Sequence, residues 1–156
     1  MDDVVLARVL HVLAAIVWIG GLAMVTTVVL PAIRRGEFGA DPLRAFAAVE
    51  RRFRLQVRAA IVIVGATGLY MTARLDLWSR FRSFEFWWMH AMVVLWLLFA
   101  FILFVAEPLF AERRFRRAAQ AAPARAFARL QRGHWLLLAL SLATAGGAVA
   151  GSHGWF

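Results

Sequence analysis

The feature that most constrains this chain is a set of four apolar runs, each far longer than a strand or a soluble core helix requires. They cover residues 4–33, 55–73, 86–110 and 134–151. A helix needs roughly 20 mostly apolar residues to cross a bilayer, and the runs leave almost nothing for a soluble domain. We therefore predict an all-α integral membrane protein, with a single four-helix transmembrane domain over residues 1–156.

The arginines are distributed unevenly between the connections of these runs. All 18 basic residues are arginine; residues 34–58 and 107–134 hold seven each, whereas residues 74–85 hold three, balanced by two acids. The positive-inside rule then places the first and third connections in the cytoplasm. We expect a multi-pass protein of the bacterial inner membrane, with both termini on the outer, periplasmic side. This distribution indicates that the positive charge meets lipid headgroups of the bilayer and not nucleic acid.

The ends of the runs carry further signals. The chain opens with two aspartates instead of a basic region, so we expect the first run to be a retained helix and not a cleaved signal. Asp41 and Pro42 predict the start of a helix that leads into the second run, and Pro108 and Pro123 bracket a short amphipathic segment. The absence of cysteine excludes thiolate metal sites, so a bound metal needs histidine, methionine, carboxylate or a cofactor.

Two histidines are predicted to lie at similar depth in the outer half of the bundle. From the helical rise, His11 lies roughly 10 Å and His90 roughly 6 Å inside the outer end of its run. His134 falls at the cytoplasmic edge and His153 at the outer edge. Two imidazoles that face each other across a four-helix bundle meet the requirement of a low-spin b-type haem. We therefore predict one haem b near the outer face, with His11 and His90 as the axial ligands of its iron.

Residues near His11 extend this prediction. Arg8 precedes His11 by three residues and Trp18 follows it by seven, which places all three on one helix face. An arginine in an apolar run favours an anionic partner, so Arg8 and Arg74 are candidate partners of the haem propionates. Small residues cluster in three of the runs, where they either allow close helix packing or make room for a flat cofactor.

The third run contains two further features. Val94 and Phe101 continue the helix face of His90. Near the cytoplasmic end of the run, Glu107 directly precedes Pro108. We expect this carboxylate to cap the helix or to pair with a loop arginine such as Arg113, and a role in a proton path stays open.

Two other interpretations of the histidines remain. An intramembrane histidine can simply bond a hydroxyl or a carbonyl of a neighbouring helix. Alternatively, His153 and Met92 lie on the predicted outer side, and imidazole with thioether suits copper. That alternative predicts a copper-resistance or copper-transport protein.

Several short motifs resemble known membrane proteins. The stretch LHVLAAIVWIGGL at residues 10–22 resembles the first helix of CopD-like and HemJ-like proteins. The motifs VERRF at 49–53 and WWMHAM at 87–92 resemble the HemJ-like group, although Met92 stands where that pattern has lysine. The motifs LPAIRR at 30–35 and TGLYMTARL at 67–75 are more similar to the CopD-like group.

The resemblance implies a haem b-binding four-helix protein in which His11 is the ligand with the best support. The expected function is electron transfer or another redox activity, with a quinol or a periplasmic electron carrier as partner. A protoporphyrinogen oxidase-like activity, as in the HemJ-like group, is the enzymatic alternative, so an oxidoreductase activity stays open. Homo-oligomer formation also stays open.

Overall fold

The computed structural model of the chain describes residues 2–39 and 41–155, and all regular structure within these ranges is helical. Helices that are long and apolar enough to cross a membrane are numbered here as spans 1 to 4: Asp2–Arg34, Phe46–Arg74, Phe84–Ala121 and Pro123–Ser152. The prediction of an all-α chain with four apolar helices is confirmed. By length and composition, these helices indicate a multi-pass membrane protein.

Two of the spans are interrupted by π-helical segments. Along the chain the elements are α1 (Asp2–Met24), a π-helix (Val25–Val29), α2 (Leu30–Arg34), α3 (Pro42–Arg74), two 3₁₀ turns (Leu77–Arg82 and Phe84–Phe86), α4 (Trp87–Phe101), a π-helix (Ile102–Ala111), α5 (Glu112–Ala121) and α6 (Pro123–Ser152). The helices therefore extend well beyond the predicted apolar runs at the arginine-rich connections. The π-helices were not predicted from the sequence.

The predicted helix start at Asp41 is confirmed. The Asp41 carboxylate accepts the backbone N–H of Arg44 at 3.0 Å, which satisfies one of the free donors of the first turn of α3. The predicted amphipathic segment is α5. It ends at Ala121, and α6 begins at Pro123.

Contacts between the spans show an antiparallel arrangement. Arg74 at the end of span 2 forms an ion pair with Asp3 at the start of span 1, at 2.9 Å. At the opposite end of the bundle, Gln131 of span 4 lies beside Thr26 of span 1. We call the first end, which contains Asp3, Arg74 and the last turn of α6, the termini end. The other end is called the arginine end, and its residues include Arg34, Arg54, Arg58, Glu107 and Gln131.

The centre of the bundle is an apolar core shared by all four spans. Its buried members are Ala14, Trp18, Leu22, Val57, Ala60, Ile61, Val64, Leu95, Phe99 and Leu138. Many large apolar side chains lie on the outside instead, and Ile16, Val94 and Leu136 are each more than half exposed. Such a surface fits lipid, which solvates apolar side chains as readily as a protein core does.

Each π-helix is coupled to a proline and to a side chain from another span. A π-helix bonds each N–H to the carbonyl five residues earlier, and proline has no N–H to donate. Pro108 thus leaves the Leu103 carbonyl free, and the Arg58 guanidinium donates to it from Nη2 at 2.7 Å and from Nε at 3.1 Å. The Leu30 N–H bonds the Val25 carbonyl, five residues earlier, so the next residue in this register, Pro31, leaves the Thr26 carbonyl free.

The Gln131 amide lies 3.5 Å from the Thr26 carbonyl and takes the place of the missing donor. Both substitute donors come from a neighbouring span, which replaces a bond within one helix by a bond between helices. An unpaired carbonyl in the apolar interior is costly, so each of these contacts stabilises the bundle as well as the helix.

Candidate functional site

His11 lies on the face of span 1 that points into the bundle. The buried residues of α1 are Ala7, Ala14, Trp18 and Leu22, and His11 is half-buried among them. Their spacing of three, four and seven residues is the spacing of one helix face. Arg8 does not share this environment, because its side chain is exposed.

The His11 ring is held by the hydroxyl of Thr67 in span 2. His11 Nδ1 lies 3.0 Å from Thr67 Oγ1, and that hydroxyl donates its own hydrogen to the Ile63 carbonyl at 2.6 Å. Since the hydroxyl hydrogen is already engaged, we assign the Nδ1–H of His11 as the donor to Oγ1. The other nitrogen, Nε2, is then the basic one. The Val64 carbonyl of span 2 is a further acceptor beside the His11 ring, and Nε2 forms no side-chain hydrogen bond within residues 2–39 and 41–155.

Gly68 lies directly against the His11 ring. A Cβ atom at Gly68 would lie 3.3 Å from His11 Cε1, so a side chain there would crowd the imidazole. Thr67 and Gly68 together fix the ring from one side. A histidine that donates from Nδ1 to an oxygen and leaves Nε2 free has the usual orientation of a metal-binding imidazole.

Trp18 lies two turns further into the bundle on the same face. Its side chain is only 4% exposed, its ring meets Phe99 edge-on at 4.7 Å, and its Nε1–H has no partner in the described residues. Trp96 provides a contrast, because its Nε1–H donates to the Ile61 carbonyl at 2.9 Å. A buried donor without an acceptor is rare and costs stability.

His90 is placed differently from His11. Its Nε2 lies 3.0 Å from the Phe81 carbonyl and its Nδ1 lies 3.2 Å from the Phe86 carbonyl. The ring of Phe81, from the segment before span 3, and the ring of Phe84, the first residue of span 3, pack on it at 5.5 and 6.1 Å between centroids. The described contacts of His90 thus belong to its own span and to the segment just before it.

The helix face of His90 explains this placement. Val94 and Phe101, which continue that face, are 64% and 52% exposed, whereas the buried side of α4 consists of Trp88, Met89, Leu95 and Phe99. The face of His90 therefore turns away from the core. His11 and His90 share no described contact, and the structure does not bring them together as facing ligands.

Arg74 and Arg8, the predicted propionate partners, have different environments. Arg74 donates to Asp3 from Nη2 at 2.9 Å and from Nε at 3.1 Å, and Tyr70 donates to the same carboxylate oxygen at 2.7 Å. Arg74 thus has a carboxylate partner in the protein itself. Arg8 is exposed and has no ion-pair partner in the described chain.

Four of the glycines that were considered as room for a flat cofactor lie against aromatic rings instead. A Cβ at each of four glycines would lie 2.0 to 2.5 Å from an aromatic ring of another span. The pairs are Gly21 with Phe53, Gly65 with Trp96, Gly147 with Trp87, and Gly151 with Trp88. These glycines serve helix packing, the first of the two interpretations of the small residues.

The candidate copper ligands His153 and Met92 do not lie in a group of metal-binding side chains. His153 is exposed, and its Nδ1 lies 2.8 Å from the Val149 carbonyl of its own helix; Met92 is half-buried on α4. Within residues 2–39 and 41–155, no group of three or more His, Asp or Glu side chains is arranged to hold a metal ion. His134, at the arginine end, bonds the Leu130 carbonyl of its own helix at 3.0 Å.

The arginine end contains a network of ion pairs that the sequence analysis did not predict. Glu107 is bound by Arg54 Nε at 2.6 Å and lies 3.6 Å from Arg58 Nη2, so its partners come from span 2. Arg54 also pairs with Glu50 at 3.4 Å and with Glu112 at 3.3 Å. The expectation that Arg113 pairs with Glu107 is wrong, because α5 continues the helix and directs Arg113 outward.

The sequence does contain a signal for this network. Arg54 and Arg58 are one turn apart on the same helix face, and Glu107 precedes the one proline of span 3. An antiparallel pairing of spans 2 and 3 brings those positions to the same depth.

Together, the fold and this site define a four-helix, multi-pass membrane protein in which a buried helix face presents an oriented imidazole. Comparison of the chain with family models, with curated proteins and with solved structures finds no match. Membership of a CopD-like or HemJ-like family therefore stays a prediction from the short motifs.

Proposed function

We propose that this protein binds one haem b at the termini end and takes part in electron transfer, with His11 as the iron ligand that the chain supplies. One observation carries the proposal: the Nδ1–H of His11 is committed to Thr67, which leaves Nε2 free in a half-buried position. Ligand histidines in metalloproteins are held in this way by an acceptor behind the ring.

The surroundings of His11 support this role. Thr67 orients the imidazole, Gly68 keeps its edge close to span 2, and the buried Ala14 offers little bulk one turn along the same face. The unpartnered N–H of Trp18 is a donor for a polar group in the same region. When bound, haem b supplies an iron that exchanges one electron; the residues named here hold the ligand and exclude water.

We infer the orientation of the protein in the membrane from the charge of the arginine end. The arginine end has many more basic than acidic residues, so we place it in the cytoplasm of a bacterial cell and the termini end toward the periplasm. The haem then lies near the outer face, within reach of a quinol or a periplasmic electron carrier.

The proposal uses His11 alone, because both nitrogens of His90 lie beside carbonyl oxygens. A bis-histidine site would require His90 to leave the Phe81 carbonyl and to turn toward the core. The spectrum of a His90→Ala variant decides between the two versions. A single protein ligand predicts an unchanged spectrum, and a bis-histidine haem predicts loss of the six-coordinate low-spin form.

The experiment is an optical spectrum of the purified protein in detergent, expressed with a supply of haem. We expect α and Soret bands in the reduced form and about one haem per chain by pyridine haemochrome assay. His11→Ala removes the bands, whereas His134→Ala and His153→Ala, the matched controls, retain them. Thr67→Val keeps the ligand but weakens haem binding about 10-fold or more, because the imidazole loses the oxygen that accepts its Nδ1–H.

Two results overturn the proposal. One is a wild-type protein that takes up no haem during expression or on addition of hemin. The other is a His11→Ala variant with a full complement of haem and an unaltered spectrum.

A further inference from the structure

A pocket of about 230 Å³ lies at the arginine end, between the end of span 1 and the start of span 4. Its walls are formed by Arg34, Ala128, Gln131, Arg132 and Trp135. It is on the side of the bundle opposite to the end that contains His11, so a ligand in this pocket is independent of the proposed haem.

Gln131 organises one side of this pocket. It is 8% exposed, its amide N–H₂ faces the Thr26 carbonyl, and its amide oxygen accepts a hydrogen bond from Arg34 Nη1. The buried amide thus holds the Arg34 guanidinium in one orientation, while the remaining N–H groups of Arg34 have no described partner.

The charge in the pocket is not neutralised by the protein. Neither Arg34 nor Arg132 forms an ion pair within the described chain, and both side chains are exposed. Arg54, at the same end of the bundle, has three carboxylate partners. The pocket therefore presents two guanidinium groups that lack an anion.

The depth of the pocket matches the lipid headgroup layer. The apolar run of span 1 ends at residue 33, and that of span 4 begins at residue 134. Both boundaries lie at this pocket. Trp135 is 49% exposed at this level, which is typical of tryptophan at a membrane interface. Val28 and Leu136, each more than half exposed, present apolar surface further along the same spans.

We propose that this pocket binds the phosphate of an anionic phospholipid, with Arg34 and Arg132 as donors to the phosphate oxygens. Trp135 lies beside the glycerol region, and the exposed apolar residues contact the acyl chains. A lipid is the occupant favoured over a free anion, because Trp135 in the pocket wall and Leu136 next to it add exposed apolar surface suited to an acyl chain. Guanidinium groups at such depth are suited to the headgroup phosphate by charge and by geometry.

The test is native mass spectrometry of the delipidated protein in detergent, titrated separately with phosphatidylglycerol, phosphatidylcholine and inorganic phosphate. We expect phosphatidylglycerol to bind at least about tenfold more tightly than phosphatidylcholine, since two arginines favour the anionic lipid. Inorganic phosphate at the same concentration is expected not to displace the bound lipid.

Variants locate the site. Arg132→Gln, which removes no bond within the protein, is expected to weaken phosphatidylglycerol binding about fivefold, and the Arg34→Gln/Arg132→Gln pair about 25-fold. The control Arg114→Gln/Arg117→Gln removes the same charge from exposed positions of α5 and leaves the affinity within about twofold. Melting temperatures of all variants show whether the fold is kept, and Arg132→Gln alone suffices if the pair does not fold.

Equal binding of the two lipids overturns the proposal, as does an equal loss in the α5 control, which would assign the effect to net charge. Displacement of the lipid by inorganic phosphate overturns the choice of lipid as the occupant. None of these results depends on haem content.

Discussion

The two ends of the bundle are joined by different kinds of contact. At the arginine end, spans 2 and 3 meet through the ion pairs of Arg54, Arg58 and Glu107, and side chains replace the N–H groups that prolines lack. At the termini end, spans 3 and 4 meet through tryptophan rings that lie on glycines, as Trp88 does on Gly151.

The arginine end and the termini end show where each kind of contact is tolerated in a membrane protein. Close to the headgroups water is near, so the more exposed charges of the network keep part of their hydration. The more buried Glu107 is compensated by Arg54 and Arg58, and an ion-pair network can therefore form at the arginine end. A ring against a glycine gains dispersion energy without any polar group and works at any depth. Polar contacts at the termini end join spans 1 and 2 instead: Arg74 and Tyr70 bind Asp3, and Thr67 binds His11.

The largest expected effect is at the arginine end. Arg54→Met leaves Glu107, which is 12% exposed, without its closest cation, and we expect the free energy of unfolding to fall by about 3 kcal/mol. The measurement is reversible unfolding by SDS in mixed micelles. Arg113→Met is the control and is expected to change stability by less than about 0.5 kcal/mol. Similar losses for both variants would show that the network does not hold this end together.

The next effect tests ring-on-glycine packing at the termini end. A Cβ at Gly151 would lie 2.5 Å from the buried ring of Trp88, so Gly151→Ala forces that ring to shift. We expect a loss of about 2 kcal/mol in the same assay, as for other overpacked cores. Gly146→Ala, five residues earlier in the same helix and with open space around it, should be neutral or slightly stabilising. Equal stability of the two variants contradicts this account of the termini end.

A smaller effect concerns the coupling of Arg58 to Pro108. We expect Arg58→Met to cost about 1.5 kcal/mol in the wild type, because the Leu103 carbonyl then has no donor. In a Pro108→Ala background, the new backbone N–H satisfies a carbonyl of this segment, and the cost should fall by about 1 kcal/mol. A double-mutant cycle measures the difference. An additive cycle would mean that Arg58 does not substitute for the missing N–H.

The smallest expected effect concerns the hydrogen bond between His11 and Thr67. Thr67→Val removes the acceptor of the His11 Nδ1–H and should cost about 0.6 kcal/mol, the usual value for a side-chain bond between membrane helices. Thr27→Val is the control, because the Thr27 hydroxyl bonds only to the Ala23 carbonyl of its own helix. If Thr67→Val is no more destabilising than Thr27→Val, the contact of His11 with span 2 contributes nothing measurable to stability.

Much of the fold could be predicted from the sequence, because the bilayer imposes simple rules. Run length alone indicated four helices, and Asp41 with its following proline indicated where α3 begins. The ligand role of His11 stays a prediction. The structure places His11 half-buried on the face of Trp18 and Ala14, whereas its predicted facing of His90 depended on depth alone.

Depth along a helix does not determine the direction in which a side chain points. His90 was predicted at a depth similar to that of His11, but the rotation of α4 turns its face outward, and the 3₁₀ segment before it covers the ring. That rotation depends on which side of the helix packs best. Trp88, Met89, Leu95 and Phe99 occupy the core together, and no local pattern ranks them above the equally apolar Val94 and Phe101.

The sequence by itself determined the helical class, the number of apolar helices and the concentration of arginine at two connections, because hydropathy and charge act residue by residue. Only the tertiary structure decided the partner of each polar group: Thr67 for His11, Arg54 for Glu107, and Arg58 for the carbonyl freed by Pro108. The physical reason is that an apolar face looks the same in sequence whether it meets lipid or another helix. A hydrogen bond or an ion pair, in contrast, exists only when two spans are brought together at one depth and one rotation.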